Sequence, residues 1–108
     1  MIMPRKKLKF EVGALRNEIL KKREIKYETV FRYEGGSGIL FLTNKALEFY
    51  YYKKCKKCNN FYIMLKDIEN VSVSENCFIE KNIKIKTIDK EEMLVAIDRA
   101  KELVELMN

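Results

Sequence analysis

The chain has 108 residues, 47% of them apolar and 35% charged, with a net charge of +6. That balance suits one soluble folded domain and excludes a disordered chain or two ordinary domains. Six Tyr and six Phe stand beside no Trp and no His, which excludes His-dependent catalytic triads and removes the commonest metal ligand.

The N-terminus, Met1-Ile2-Met3-Pro4-Arg5-Lys6-Lys7, has no apolar signal region after its charges, and residues 5–9 read as a basic arm. Residues 1–26 carry +6, residues 53–66 carry +5, and residues 67–108 carry −4. Two basic segments and an acidic C-terminal part are compatible with an acidic partner or with a solvated lysine-rich surface. Glu11 to Lys22 predicts a short helix with Leu15, Ile19 and Leu20 at helical spacing, weakened by Gly13. From Ile25 the period changes to two: Ile25, Tyr27, Thr29, Phe31 and Tyr33 alternate with polar neighbours and Val30, the pattern of a half-buried strand. Gly35-Gly36-Ser37-Gly38 reads as a turn or flexible loop.

Ile39–Thr43 and Ala46–Tyr52 follow as strands. Asn44-Lys45 fits a two-residue hairpin, because Asn tolerates positive φ. Residues 53–60 form a polar loop, Phe61–Leu65 a strand, Asp67-Ile68-Glu69 a turn and Val71–Ser74 a short strand. Cys77–Ile79 has no clear pattern. Asn82–Ile88 is a strand with Ile83 and Ile85 inward, and Glu92–Ile97 is the last, with Met93, Val95 and Ile97 on one face. Asp98 suits a helix N-cap before the stripe Ala100, Leu103, Val104 and Met107. A single helix from Lys90 to Met107 is the rival reading. The longest apolar runs, near Ile39–Leu42 and Leu47–Tyr52, fall far short of the roughly 20 residues of a membrane helix.

Gly38-Ile39-Leu40-Phe41-Leu42-Thr43-Asn44-Lys45-Ala46-Leu47-Glu48-Phe49 resembles the GRAM and bacterial pleckstrin-homology-like families, which carry a glycine, Leu-Thr-Asn, a basic turn residue and Leu-x-Phe. Met64–Val71 looks like their short strand and Asp-Ile turn, and Ile83–Ile97 with the terminal helix looks like their final hairpin and cap. The resemblance covers residues 25–108 and implies a mainly β (α+β) pleckstrin-homology-like fold. That fold is a seven-stranded, partly open barrel of two packed, nearly orthogonal sheets, capped by the C-terminal amphipathic helix. Residues 1–24 would then be an added basic arm and short helix. Relatives that bind phosphoinositides do so with basic residues around the loop between their first two strands. The matching loop here, Tyr33–Gly38, has Glu34 and no Lys or Arg, so phosphoinositide binding is not expected.

Cys55-x-x-Cys58 is the sharpest local motif. Its readings are ordinary loop cysteines, a zinc site completed by carboxylates or a second chain, or a redox pair. A full zinc signature needs a second pair, and only Cys77 remains, which reads as a small buried apolar residue. An odd number of cysteines does not close a disulfide framework, so a cytoplasmic protein with reduced thiols and no cofactor is expected. Lys53, Lys54, Lys56 and Lys57 form the densest cationic cluster, flanked by Tyr50, Tyr51, Tyr52, Phe61 and Tyr62. Such a set can grip phosphates and stack bases, or simply keep a loop tip in water. Gly35–Gly38 lacks the Lys-Ser/Thr and the strand-to-helix setting of a phosphate loop.

No nucleophile–base pair is legible, and a non-enzymatic binding or interaction module is the expected function. The alternative is a nucleic-acid or anionic-surface binder using segments 5–9 and 53–57. Three consecutive tyrosines cannot all face inward along a strand, so a tyrosine-bearing outer surface around Tyr51 and homo-oligomerisation through it are expected.

Overall fold

The computed structural model describes residues 4–52, 59–75 and 81–108, the side chains of 4–11, 75 and 81 excepted. The chain order is α1 (Pro4–Leu20), β1 (Ile25–Tyr33), β2 (Gly36–Thr43), β3 (Ala46–Tyr51), β4 (Phe61–Met64), a 3-10 turn (Leu65–Asp67), β5 (Ile68–Glu75), β6 (Lys81–Thr87), β7 (Glu92–Ile97) and α2 (Ala100–Met107). The seven strands among the described residues are antiparallel in one sheet of order β4-β3-β2-β1-β7-β6-β5, a mainly β domain. Two packed sheets were expected, whereas hydrogen bonds run continuously through all seven strands. The junction between β1 and β7 is narrow, only Phe31↔Ile97 and Arg32↔Ala96. No ladder joins β4 to β5 among the described residues, so the sheet is not closed.

The period-two reading of β1 and β7 holds, and the alternation decides what each face meets. Phe31, Leu40, Leu42, Leu47, Phe49, Val71, Ile83, Ile85, Val95 and Ile97 form the main core on one face of the sheet, and α2 adds Ala100 and Leu103. Phe31 meets Phe49 and Tyr51 edge-on with centroids 5.1 Å apart, and Phe49 stacks on Phe61 at 4.4 Å. Such pairs add to area burial. Residues 90–97 are turn and strand rather than helix. Asp98 does not cap α2: its backbone stays tied to β1, with its N–H donating to the Val30 carbonyl and its own carbonyl accepting from the Thr29 hydroxyl. Arg99, at φ 54, takes the position before the helix and sets its guanidinium over the Tyr27 ring.

Other boundaries move for local reasons. α1 starts at Pro4, a residue suited to the first helical turn, so segment 5–9 lies on a helix and not on an extended arm. The β1–β2 connection is only Glu34-Gly35, both at positive φ, and Gly36–Gly38 belong to β2. At Gly38 the Tyr50–Tyr51 backbone fills the space a Cβ would need. Asn44 does not take positive φ in the β2–β3 turn. Its side chain instead accepts from the Glu24 N–H, while Thr43 Oγ1 accepts from the Ala46 N–H at 3.1 Å. β5 begins at Ile68, where a turn was expected, with an irregularity between Ile68 and Asn70. No helix among the described residues is long and apolar enough to cross a membrane.

Candidate binding site

Two constellations stand out. The first lies on the outer face of β2–β3, beneath α1. Ile39 and Phe41 point away from the main core and pack with Ile19, Val12, Leu15, Ile25, Tyr50 and Tyr52. Glu48 also points outward and is nevertheless buried, because α1 and the chain leading from it cover that face. Arg23 grips it with two bonds, Nε to Oε2 at 2.6 Å and Nη2 to Oε1 at 2.8 Å. The Tyr50 hydroxyl donates to Oε1 at 2.6 Å and the Thr43 hydroxyl to Oε2 at 3.1 Å. Burial first, then the bond to Glu48, pushes the Tyr50 phenol up to about 12. The partnership with Glu48 raises the Arg23 guanidinium further above its ordinary value. Three donors from Arg23 and Tyr50 hold both carboxylate oxygens, and the Thr43 hydroxyl, also 3.1 Å from the Ala46 carbonyl, completes the cage, so this carboxylate anchors the outer face.

The second lies where the sheet fails to close. Leu42 and Thr43 at the end of β2, Leu65 in the 3-10 turn, Ile68 and Val71 of β5, and Met107 of α2 surround a cavity of about 270 Å³. Lys26, Glu69, Asn70 and Asn108 ring its mouth, and Leu106 on its rim is 55% exposed. The lining is mixed, with six apolar residues beside Lys26, Thr43, Glu69, Asn70 and Asn108, so it offers a ligand both apolar and polar contacts. The strand beside it is a sheet edge. β5 runs eight residues, Ile-Glu-Asn-Val-Ser-Val-Ser-Glu, with none of the Lys or Pro that commonly guard edges. The opposite edge, β4, has only four residues.

Of the residues singled out in the sequence, Tyr51 belongs to the main core. Its ring meets Phe31 and its hydroxyl donates to the Tyr33 carbonyl at 3.3 Å. Tyr50 and Tyr52 do lie on the outer face, as alternation requires, but α1 packs on them. Lys53, Lys54, Cys55, Lys56, Lys57 and Cys58 lie outside the described residues, as does Cys77. No group of three or more potential metal ligands gathers among the described residues. Glu91 and Glu92 are exposed, with Lys84 Nζ 3.5 Å from Glu92. Sequence reasoning missed the Arg23–Glu48 pair and the pocket beside β5. Only the edge composition of β5 carried a readable signal for the latter.

No protein-family model matches the chain, and no curated protein matches it. Among solved structures it is similar to the C-terminal domain of an unknown protein from Leishmania infantum, with a TM-score of 0.68 and 16% identity over 88% of this chain and 92% of that one. At that identity the likeness is one of fold.

Proposed function

We propose that this chain is a non-enzymatic interaction module of pleckstrin-homology-like architecture that receives an extended segment of a partner protein along β5. The observation that carries the reading is the juxtaposition of an eight-residue edge strand without Lys or Pro and a cavity lined in part by that strand's own Ile68 and Val71. An added strand would complete the free backbone groups of β5 and set one apolar side chain into the cavity. Two further points support the architecture. The strand order, with a narrow β1–β7 junction, allows a bend between a β1–β4 half and a β5–β7 half. The terminal helix packs against β5 and β6 on the core side. The reading needs no cofactor.

A displayed library of random extended peptides, selected on the whole chain, tests the reading. Enriched peptides should protect β5 amides from hydrogen exchange and lose affinity for Leu106→Glu, a change at an exposed rim residue that leaves the core intact. Failure to enrich any peptide over Leu106→Glu protein would overturn the reading. So would binding of a mixed oligonucleotide that falls steeply with salt and leaves β5 amides unprotected, since that behaviour belongs to the basic segments 5–9 and 53–57.

A further inference from the structure

The middle of β5, Asn70-Val71-Ser72-Val73-Ser74, carries no charge. It is regular strand, paired with β6 through Asn70↔Lys86, Val71↔Ile85, Ser72↔Lys84, Val73↔Ile83 and Ser74↔Asn82. Its other side has no ladder among the described residues. Val71 is buried and Val73 packs against the main core, so both face the core side. Successive side chains alternate, which turns Asn70, Ser72 and Ser74 the opposite way. The stretch reads nearly the same in both directions from Ser72. Laid antiparallel on a copy of itself with Ser72 opposite Ser72, Val71 meets Val73 and Asn70 meets Ser74, each twice.

We propose that the extended segment received by β5 is β5 of a second copy of this chain, paired about a two-fold axis at Ser72; the inference rests on the reading of β5 as a receiving edge. Self-complementarity is the first observation that chooses this occupant. Residues directly opposite in an antiparallel pair share a face, so the register at Ser72 keeps apolar on apolar and small polar on small polar. It also brings the second copy's Val73 beside Val71, a wall of the cavity. Charge is the second. Nothing in residues 70–74 gives a foreign strand an electrostatic address, and no like charges face each other there. Glu69 and the second copy's Glu75 come next, where β5 leaves regular pairing between Ile68 and Asn70. Lys86 and Lys90 stand 3.7 and 3.0 Å from Glu69, so two ammonium groups already attend that one carboxylate. Closure is the third. A two-fold contact uses the eight-residue edge of both copies and leaves only the four-residue β4 edges, so it ends at a dimer and not a filament. Eight residues a side, against roughly 20–30 in a standard interface, make this a weak and concentration-dependent dimer. Self-association thereby moves from Tyr51, whose ring the main core holds, to the far edge of the sheet.

Light scattering of the whole chain, from micromolar to submillimolar concentration, should show the mass rise from one chain toward two. Hydrogen exchange at β5 amides should slow over the same range, with β4 amides unchanged. Ser72→Lys sets two ammonium groups face to face on the axis and should weaken association about tenfold, as should Ser72→Asp with two carboxylates. An equal mixture of these two variants should associate again, because opposite charges then meet at the axis. Tyr62→Glu, at an exposed residue of the β4 edge, should leave association unchanged. A single-chain mass at every concentration would overturn the proposal. So would a dimer indifferent to Ser72→Lys, a mixture that stays monomeric, or a dimer broken by Tyr62→Glu. A monomer that still enriches extended peptides protecting β5 amides overturns the second copy alone and leaves β5 as a receiving edge. A monomer that enriches none removes both readings.

Discussion

The two helices hold the same sheet from opposite sides by different chemistry. α2 sits on the core side and is held by an apolar stripe, with Ala100 and Leu103 wholly buried and Val104 and Met107 packed against the core. α1 lies on the outer face over a small cluster around Ile19, Ile39 and Phe41, and two arginine forks tie its end of the chain to strand carboxylates. Apolar burial is insensitive to pH and salt over ordinary ranges, whereas ion pairs depend on both. Removing contacts from each helix in turn should therefore give different signatures as well as different magnitudes. The largest loss belongs to α2: Leu103→Ala should cost about 4 kcal/mol by truncation plus cavity formation. Urea denaturation should show a lower midpoint with an unchanged slope, equally at neutral and mildly alkaline pH.

Arg23→Met tests the other side. It leaves Glu48 buried with its main counter-charge gone, and breaking such a pair costs about 3 kcal/mol, at the lower end of the usual range because the Arg23 side chain is 25% exposed. The double change Arg23→Met/Glu48→Met should recover most of that loss, since the uncompensated charge is then gone as well. A double variant no more stable than Arg23→Met would mean that the carboxylate's bonds to Tyr50 and Thr43 carry the stability, and the contrast between the helices would narrow.

These two sites differed in how far the sequence revealed them. The stripe Ala100, Leu103, Val104, Met107 announces its face by spacing alone, and the alternation of β7 does the same. Glu48 offers no such sign. It sits between Leu47 and Phe49 at an outward position, where a carboxylate normally meets water, and its partner lies 25 residues away. Only the placement of α1 turns that outer face into an interior, and α1 itself is obscured at sequence level by its lysines and by Gly13. The glycine cluster misled for the opposite reason. Composition suggests a loop, yet Gly38 is needed inside a strand because the Tyr50–Tyr51 backbone approaches it closely. Of the pocket beside β5 only the strand's edge composition is legible, since its walls come from β2, β5, the 3-10 turn and α2.

Tyr50 gives a smaller, pH-resolved test of the outer side. Its phenol titrates at about 12 in the fold against 10.0 ordinarily. A group whose value is raised by folding stabilises the fold while it stays protonated, and that contribution fades as pH rises from the unfolded value through the folded one. The wild-type chain should lose stability between about pH 10 and 12 with a component absent from Tyr50→Phe. Burial raises Tyr27, Tyr33, Tyr51 and Tyr52 too, so the difference between the two proteins, and not the total slope, isolates Tyr50. Identical alkaline profiles would show that α1 does not keep water from this phenol.

The smallest effect is expected at the second fork, which matches the first in geometry and differs in surroundings. Arg16 donates to Glu28 at 2.9 and 2.8 Å, nearly the distances found at Arg23. Its side chain is 40% exposed and that of Glu28 is 36% exposed, against only 5% for Glu48. Water already solvates much of both groups, so the pair exchanges one good environment for another, and its coupling should stay at or below about 1 kcal/mol. A double-mutant cycle on Arg16→Ala and Glu28→Ala measures that coupling directly, apart from whatever packing the arginine stem supplies to α1. Raising salt to 1 M, where the Debye length is about 3 Å, should erase most of it, while the Arg23–Glu48 coupling persists. Coupling at Arg16 as large and as salt-resistant as at Arg23 would mean that geometry and not burial sets the strength of these forks, and that α1 is fastened along its length and not mainly at its C-terminal end.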